Sequence, residues 1–406
     1  MRLRPDGAAI VVLLTALVAL GPISTDLYLP SLPAIRAQFG VDQGYVQLTL
    51  SLFMAGFAVS QLAYGPLSDR FGRRPVLIAG LGLYVAASLA CLLAPSMAVL
   101  LAARAVQAMG ACAGPVLGRA VVRDIAGPGR AAVLLSYIGM AMALAPAVGP
   151  TLGGYLQVAF GWRAAFAALM AVALALLVAV SLTLPETNQR RNPRATHLRE
   201  LLAAYRELIA DPVYRGYVAT LALTFAGLFS FISGAAFVLI EAVGLSPDAF
   251  GLSFATIVLG YILGNFISTR LTRRFGPDRM IAGGLAAVLA GGLPMAALAL
   301  AGVQTALAVV LPMAVFMVGA GLILPNAMAG AVGPYPEKAG SASALLGFTQ
   351  MGGAAVVGAL VGHLHDGTAR PMALAIALSG LAAVLAFRRL RAARARVVPT
   401  VRGSAV

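Results

Sequence analysis

The chain has 406 residues, of which 60% are hydrophobic and only 11% charged, with a mean hydropathy of +0.92 and a formal net charge of +15. A soluble protein carries about a quarter charged residues, so this apolar excess is too large for a core and must face lipid. Twelve spans of about 20 residues would use roughly 240 positions, which excludes a soluble enzyme and implies an all-α polytopic membrane protein.

Hydropathy places spans at 9–29, 44–65, 75–94, 98–118, 131–157, 164–184, 216–240, 249–270, 279–301, 306–330, 341–363 and 371–388. The start, with Arg2 and Arg4 ahead of an apolar run from Ile10, has the outline of a secretory signal. No small-residue cleavage site follows, and an uncleaved first span is expected. One side of the membrane then receives Arg2, Arg4, Arg70, Arg73, Arg74, Arg119, Arg123, Arg130, the arginines from Arg190 to Arg215 and from Arg270 to Arg279, Lys338, and those from Arg388 to Arg402. These are 25 of the 29 basic residues. The other side holds Arg36, Arg163 and Arg370, and Arg104 lies within a span. The charge is therefore the positive-inside signal rather than a nucleic-acid surface, and both termini are expected in the cytoplasm.

Asp26 lies near the outer end of span 1, where an ionised, unpaired carboxylate costs a few kcal/mol at bilayer depth. Pro30, close behind, keeps a water-facing Asp26 open as an alternative. Between spans 2 and 3 runs Gly65-Pro-Leu-Ser-Asp69-Arg70-Phe-Gly72-Arg73-Arg74-Pro75. Anchoring at a cytoplasmic surface accounts for its arginines but not for Asp69, and Gly65 and Gly72 permit a close turn. Cys91 and Cys112 fall at different depths of neighbouring spans, so a disulfide is not expected.

Arg104 sits about six residues, roughly 9 Å, into span 4. Arginine cannot shed its charge there and needs a carboxylate, carbonyls or water. Asp26, at comparable depth, is the obvious partner; snorkelling to the headgroups is the other reading. Gln107 is one turn deeper on the same face. Span 5 carries Ala145-Pro146-Ala-Val-Gly149-Pro150-Thr-Leu-Gly153-Gly154, a flat, bent face for close helix approach.

Residues 185–215 form the one sizeable connection, with an amphipathic helix expected over His197–Leu208. They divide an N-terminal six-span bundle (1–184) from a C-terminal one (216–390), with a basic tail at 391–406. A shift of 204 lays Arg70-Phe71-Gly72-Arg73 over Arg274-Phe275-Gly276-Pro277 and Gly149 over Gly353, so the bundles read as a parallel repeat. The charges are not repeated, since Ser230 falls opposite Asp26 and Ala308 opposite Arg104. Gln107, Tyr137, Phe225, Phe229, Asn326 and Gln350 are candidates for a cavity wall. His363-Leu-His365-Asp366 has a metal-like look but reads as a solvated turn, and no metal is expected. No phosphate-cradling, nucleophile-elbow or zinc-protease motif occurs, so no cofactor is expected and an ion or substrate gradient must supply the energy.

The stretch from Gly65 to Arg74 resembles the cytoplasmic loop of the major facilitator superfamily. Arg104-Ala-Val-Gln107-Ala-Met-Gly110 resembles the span-4 motif of its proton-coupled members, with Ala108 in place of a glycine. Gly149-Pro150-Thr-Leu-Gly153-Gly154 resembles the span-5 motif of its antiporters, with Ser136 and Ala145 where that pattern has glycines. Span 1, from Ser24 to Ile35, and the run from Leu324 to Phe348 look like the Bcr/CflA drug-resistance subfamily. The resemblance implies a twelve-span bacterial inner-membrane exporter that exchanges protons for drugs such as bicyclomycin, chloramphenicol or sulfonamides; its expected partners are the drug, protons and the lipid bilayer, and a monomer is expected. Asp26 and Arg104 would then couple the proton. Asp69, with Arg70, Arg73 and Asp124, would latch against Ser341 at the start of span 11 as a cytoplasmic gate. A transporter of one polar metabolite and a non-transporting scaffold remain as alternatives.

Overall fold

A computed structural model describes residues 8–126, 128–189 and 191–397, with side chains described except at 8, 128–133, 135–138, 140–144, 396 and 397. Regular structure among the described residues is helical throughout. The first half comprises α1 (Ala8–Asp26), the short α2 (Leu32–Phe39), α3 (Gln43–Phe71), α4 (Arg73–Leu92), α5 (Met97–Ile125), α6 (Pro128–Phe160) and α7 (Arg163–Thr183). A linker carries α8 (Leu198–Ala210). The second half comprises α9 (Pro212–Ala236) with a π-helical turn (Phe237–Ala242), α10 (Pro247–Phe275), α11 (Pro277–Leu300), α12 (Ala306–Val332), α13 (Ala339–His363) and α14 (Arg370–Val397). Among the described residues, eleven helical segments are long and apolar enough to cross a membrane. The 33 residues of α6 supply the length of a twelfth.

The helices start where their sequences provide donors' partners. The Ser96 and Thr305 hydroxyls accept from the third backbone N–H of α5 and α12, and the Asp211 carboxylate accepts from Val213 beside Pro212 at the start of α9. The repeat is visible in the backbone. The helices α3 and α10, each 29 residues long, end at Gly72 and Gly276, whose φ of +105° and +79° only glycine adopts without strain. The supposed loop from Gly65 to Pro75 is thus almost all helix. Only Gly72 interrupts it, and nothing lies within 4 Å of a Cβ placed on Gly65, which needs no close turn.

The two helical bundles meet on the side opposite the arginine-rich rim. There Gly44 of α3 lies against the Gly362 backbone of α13, Gln47 donates to the Ser233 carbonyl of α9 at 2.8 Å, and Ser51 seats against Gly358; the α3–α13 seam continues past mid-helix toward the arginine-rich side, where Gln61 seats against Gly347. The helices α6 and α10 touch through Thr151 and Gly251. Arg36 of α2 reaches across to Glu241 in the π-helical turn at 2.5 Å. The short α2 is itself pinned to the start of α7, since Trp162 donates to Gln38 and its ring packs, tilted, against that of Phe39. On the arginine-rich side, among the described residues, no hydrogen bond or ion pair joins the bundles directly. The linker does so instead, bonding Thr196 to Arg70 on one side and Asp211 to Tyr335 on the other.

Candidate functional site

The apolar run of the first span continues past Asp26, through a 3₁₀ turn (Leu29–Ser31) into α2, and spans Ala9–Phe39. Asp26 therefore lies deeper than a 9–29 span implied, and it is 3% exposed, which removes the water-facing reading. Its carboxylate accepts from the Thr25 hydroxyl at 3.1 Å. Its Cβ sits 2.8 Å from where a Cβ on Gly149 of α6 would be, and a side chain on Gly153 would strike the Leu27 carbonyl. The two glycines, one helical turn apart, are what let α6 close over the end of α1.

Arg104 is wholly buried. Its Nη1 donates to the Ser24 carbonyl at 3.1 Å and to Gln107 Oε1 at 2.5 Å. The guanidinium carbon lies 4.3 Å from the ring centres of both Tyr28 and Phe53 and 5.8 Å from that of Phe166. Among the described residues, Nε and Nη2 have no hydrogen-bond partner. Neither expectation for this residue survives: the side chain does not snorkel, and no ion pair joins it to Asp26. The depths match but the azimuths do not. Ser24 and Asp26 are two residues apart, about 200° around a helix, so Ser24 faces α5 while Asp26 faces α6. The rings hold a cation through their negative faces in place of a carboxylate.

Gln107 is a strut rather than a cavity wall. Its Oε1 accepts from Arg104 and its Nε2 donates to Ser88 of α4 at 2.8 Å. Asn326 is likewise spent inside the second bundle, donating to Ser268 and the Leu322 carbonyl and accepting from Thr272. Phe225 and Phe229 stack at 6.5 Å, with Phe229 buried against Gly358. Gln350 is half-buried on α13. The side chain of Tyr137 lies outside the described residues. The α6 motif serves two partners: Gly149 and Gly153 meet α1, whereas Pro150, Thr151 and Gly154 meet α10 of the other bundle.

At the arginine-rich rim, Asp69 accepts from Arg73 at 2.6 Å, and Arg73 also donates to Ser68 at 2.6 Å and to Asp124 at 3.0 Å. Arg70 turns to the linker, and Ser341 is the third residue of α13 with no bond to Asp69. The expected Asp69–Ser341 contact is absent here, whereas the Asp69–Arg73–Asp124 part of the expected cluster is formed. A residue overlooked in the sequence completes this cluster. The Glu186 carboxylate accepts from the backbone N–H of Arg73 at 2.9 Å, of Arg74 at 3.3 Å and of Asn188 at 2.8 Å, and so caps the start of α4. A Cβ on Gly72 would collide with that carboxylate. The signal was an acid just beyond the end of a span, within reach of the one helix start that follows a single-residue break.

The family model described as Major Facilitator Superfamily matches residues 14–358 and again 219–404. The chain belongs to the major facilitator superfamily. It is a multi-pass membrane transporter of small molecules and not an enzyme. The transporter is 29% identical to Multidrug resistance protein D of Escherichia coli over 94% of this chain and 95% of that one. It is 31% identical to a Bicyclomycin resistance protein homolog of Haemophilus influenzae over 91% and 92%. A solved D-xylose-proton symporter superposes with a TM-score of 0.74 at 15% identity, covering 93% of this chain and 96% of that one, which speaks to the fold alone.

Proposed function

We propose that the transporter is a proton-coupled exporter of small amphipathic drugs, a monomer in a bacterial inner membrane with its arginine-rich rim and both termini in the cytoplasm. The observation that carries the reading is Asp26: a buried carboxylate at the end of α1, covered by the α6 glycines, with one hydroxyl donor among the described residues, in the layer where Arg104 has no counter-charge among them. An ionised carboxylate at that depth is costly unless paired, so any movement of α1 against α6 changes whether Asp26 holds a proton. Arg104 keeps a fixed positive charge beside the path and penalises a second cation there. Resistance proteins among the relatives support drugs as the cargo, of the bicyclomycin or chloramphenicol kind. No cofactor enters; one charge crossing 100 mV supplies about 2.3 kcal/mol, enough for tens-fold accumulation.

The contacts described above seal the rim opposite the arginines, so in this arrangement the transporter is shut to the outside. In proteoliposomes with an imposed proton gradient, the parent is expected to export such drugs, and an uncoupler to abolish the export. Asp26→Asn, present at equal amount, is expected to keep downhill exchange and lose pH-driven accumulation. Full pH-driven efflux by Asp26→Asn would remove Asp26 from the mechanism, and export of one polar metabolite with no drug would replace the cargo.

A further inference from the structure

At the rim opposite the arginines the two bundles enclose a cavity of about 700 Å³, bordered by Arg36, Asp42, Gln43, Phe237, Glu241 and His365. Its floor is polar and unsatisfied: Gln43 is 6% exposed, and neither its Nε2 nor its Oε1 has a partner. Among the described residues, the one ion pair across it joins Arg36 of the first bundle to Glu241 of the second. His365 follows α13 in the second bundle, half-buried, with its ring 6.4 Å from that of Phe237 and within electrostatic reach of Asp366, Glu241 and Arg36. Asp366 is occupied by the Thr368 hydroxyl and N–H.

We propose that His365 is a proton-operated release for the Arg36–Glu241 latch: on gaining a proton it takes Glu241 from Arg36, and the outer rim opens. The chemistry is an exchange of partners. Glu241 and His365 belong to the same bundle, so a bond between them replaces a tie between bundles with one inside a bundle. The imidazolium also repels Arg36. The other charged or titratable groups bordering the cavity are Asp42, just before α3, Tyr45 on its first turn, and His363 at the end of α13, which is turned back on the Ala359 carbonyl; Asp366 lies next to His365 in the chain, outside the cavity lining. Burial holds the His365 ring below its ordinary pKa of 6.5, against the opposing pull of the Asp366 and Glu241 carboxylates. The ring is therefore neutral at neutral pH and gains its proton only as the outside acidifies. Sign and setting agree: the latch is intact above that pKa and weakens as pH falls through it. For an exporter that collects protons outside, opening follows their arrival.

This inference rests on the orientation proposed above, with this rim outside, but not on Asp26. The test uses the full-length transporter in lipid nanodiscs, with spin labels on Phe160→Cys and Val303→Cys at this rim, one per bundle. All measurements are made in an Asp26→Asn background so that the intramembrane carboxylate cannot contribute. Between pH 8 and pH 5 the open population is expected to rise roughly three- to five-fold, the scale of one partly exposed ion pair. His365→Gln is expected to erase the step and leave the pH 8 distribution unchanged. Arg36→Gln is expected to hold that raised open population at every pH, and the exchange Arg36→Glu with Glu241→Arg to restore the parent's closed population at pH 8. A step that survives His365→Gln, or a parent with no step, overturns the proposal. Retained pH-driven export in Asp26→Asn together with an intact step would overturn the proton site and leave the latch standing.

Discussion

Arg104 shows what a buried cation can be made to tolerate. It has two hydrogen bonds and three rings around it, and Nε and Nη2, which carry three of its five N–H groups, have no partner among the described residues. A planar guanidinium can lie against Tyr28 and Phe53 and still reach Ser24 and Gln107, whereas a lysine ammonium can do only one of these at a time. Arg104→Lys is therefore expected to cost about 2 kcal/mol in detergent unfolding measurements. Gln107→Leu, which strips Arg104 and Ser88 of a shared partner, should cost roughly 1–3 kcal/mol. Unchanged stability in Gln107→Leu would show that Arg104 holds itself. Depth was legible in the sequence here, because counting residues along two helices gives height directly. Azimuth was not. The face that α1 turns to α5 is set by Gly114, against which Leu17 packs, and by Gly149 and Gly153 on a helix more than a hundred residues further on.

The helices themselves were legible as spans, and the repeat as a repeat, because lipid imposes a length and an apolar pattern that hydropathy reads. Hydropathy stops where the lipid stops, so it missed that α3 continues through Asp69 and Arg70 and that α5 carries Arg119 and Arg123 on its last turns. It also missed what Glu186 does, since a cap is defined by where a distant chain segment returns. Three backbone N–H groups converge on that one carboxylate, and Asn192 adds a bond from the linker to the Asp69 carbonyl. The linker is thereby strapped to the junction of α3 and α4 at Gly72, on which the gate reading depends. Glu186→Ala is expected to release the strap, with a local loss of about 1–2 kcal/mol. Limited trypsin cleavage after Arg191 or Arg194 should then accelerate roughly five- to thirty-fold. Cleavage at the parent's rate would mean that the strap is held elsewhere.

At the scale of the whole molecule, the transporter has to leave the arrangement described here as easily as it enters it. The seam between α3 and α13 is built for that. Polar side chains lie against glycines rather than against apolar knobs, and the seam leaves Gln47 Oε1 and Ser51 Oγ buried without partners. Each orphaned atom costs about 1–3 kcal/mol when dry and little when wet, so opening the rim returns part of what closing it costs. Two substitutions at a single contact should then have opposite effects. Ser51→Ala removes the orphaned hydroxyl, favours the closed seam, and is expected to lower the open population by roughly five-fold or more. Gly358→Ala puts a methyl group 3.1 Å from Ser51 Oγ and 2.7 Å from the Phe229 ring, and is expected to wedge the seam and raise that population. Spin-label distances across the outer rim measure both. If the two variants shift the distribution in the same direction, the seam's polarity has no part in the balance between the states.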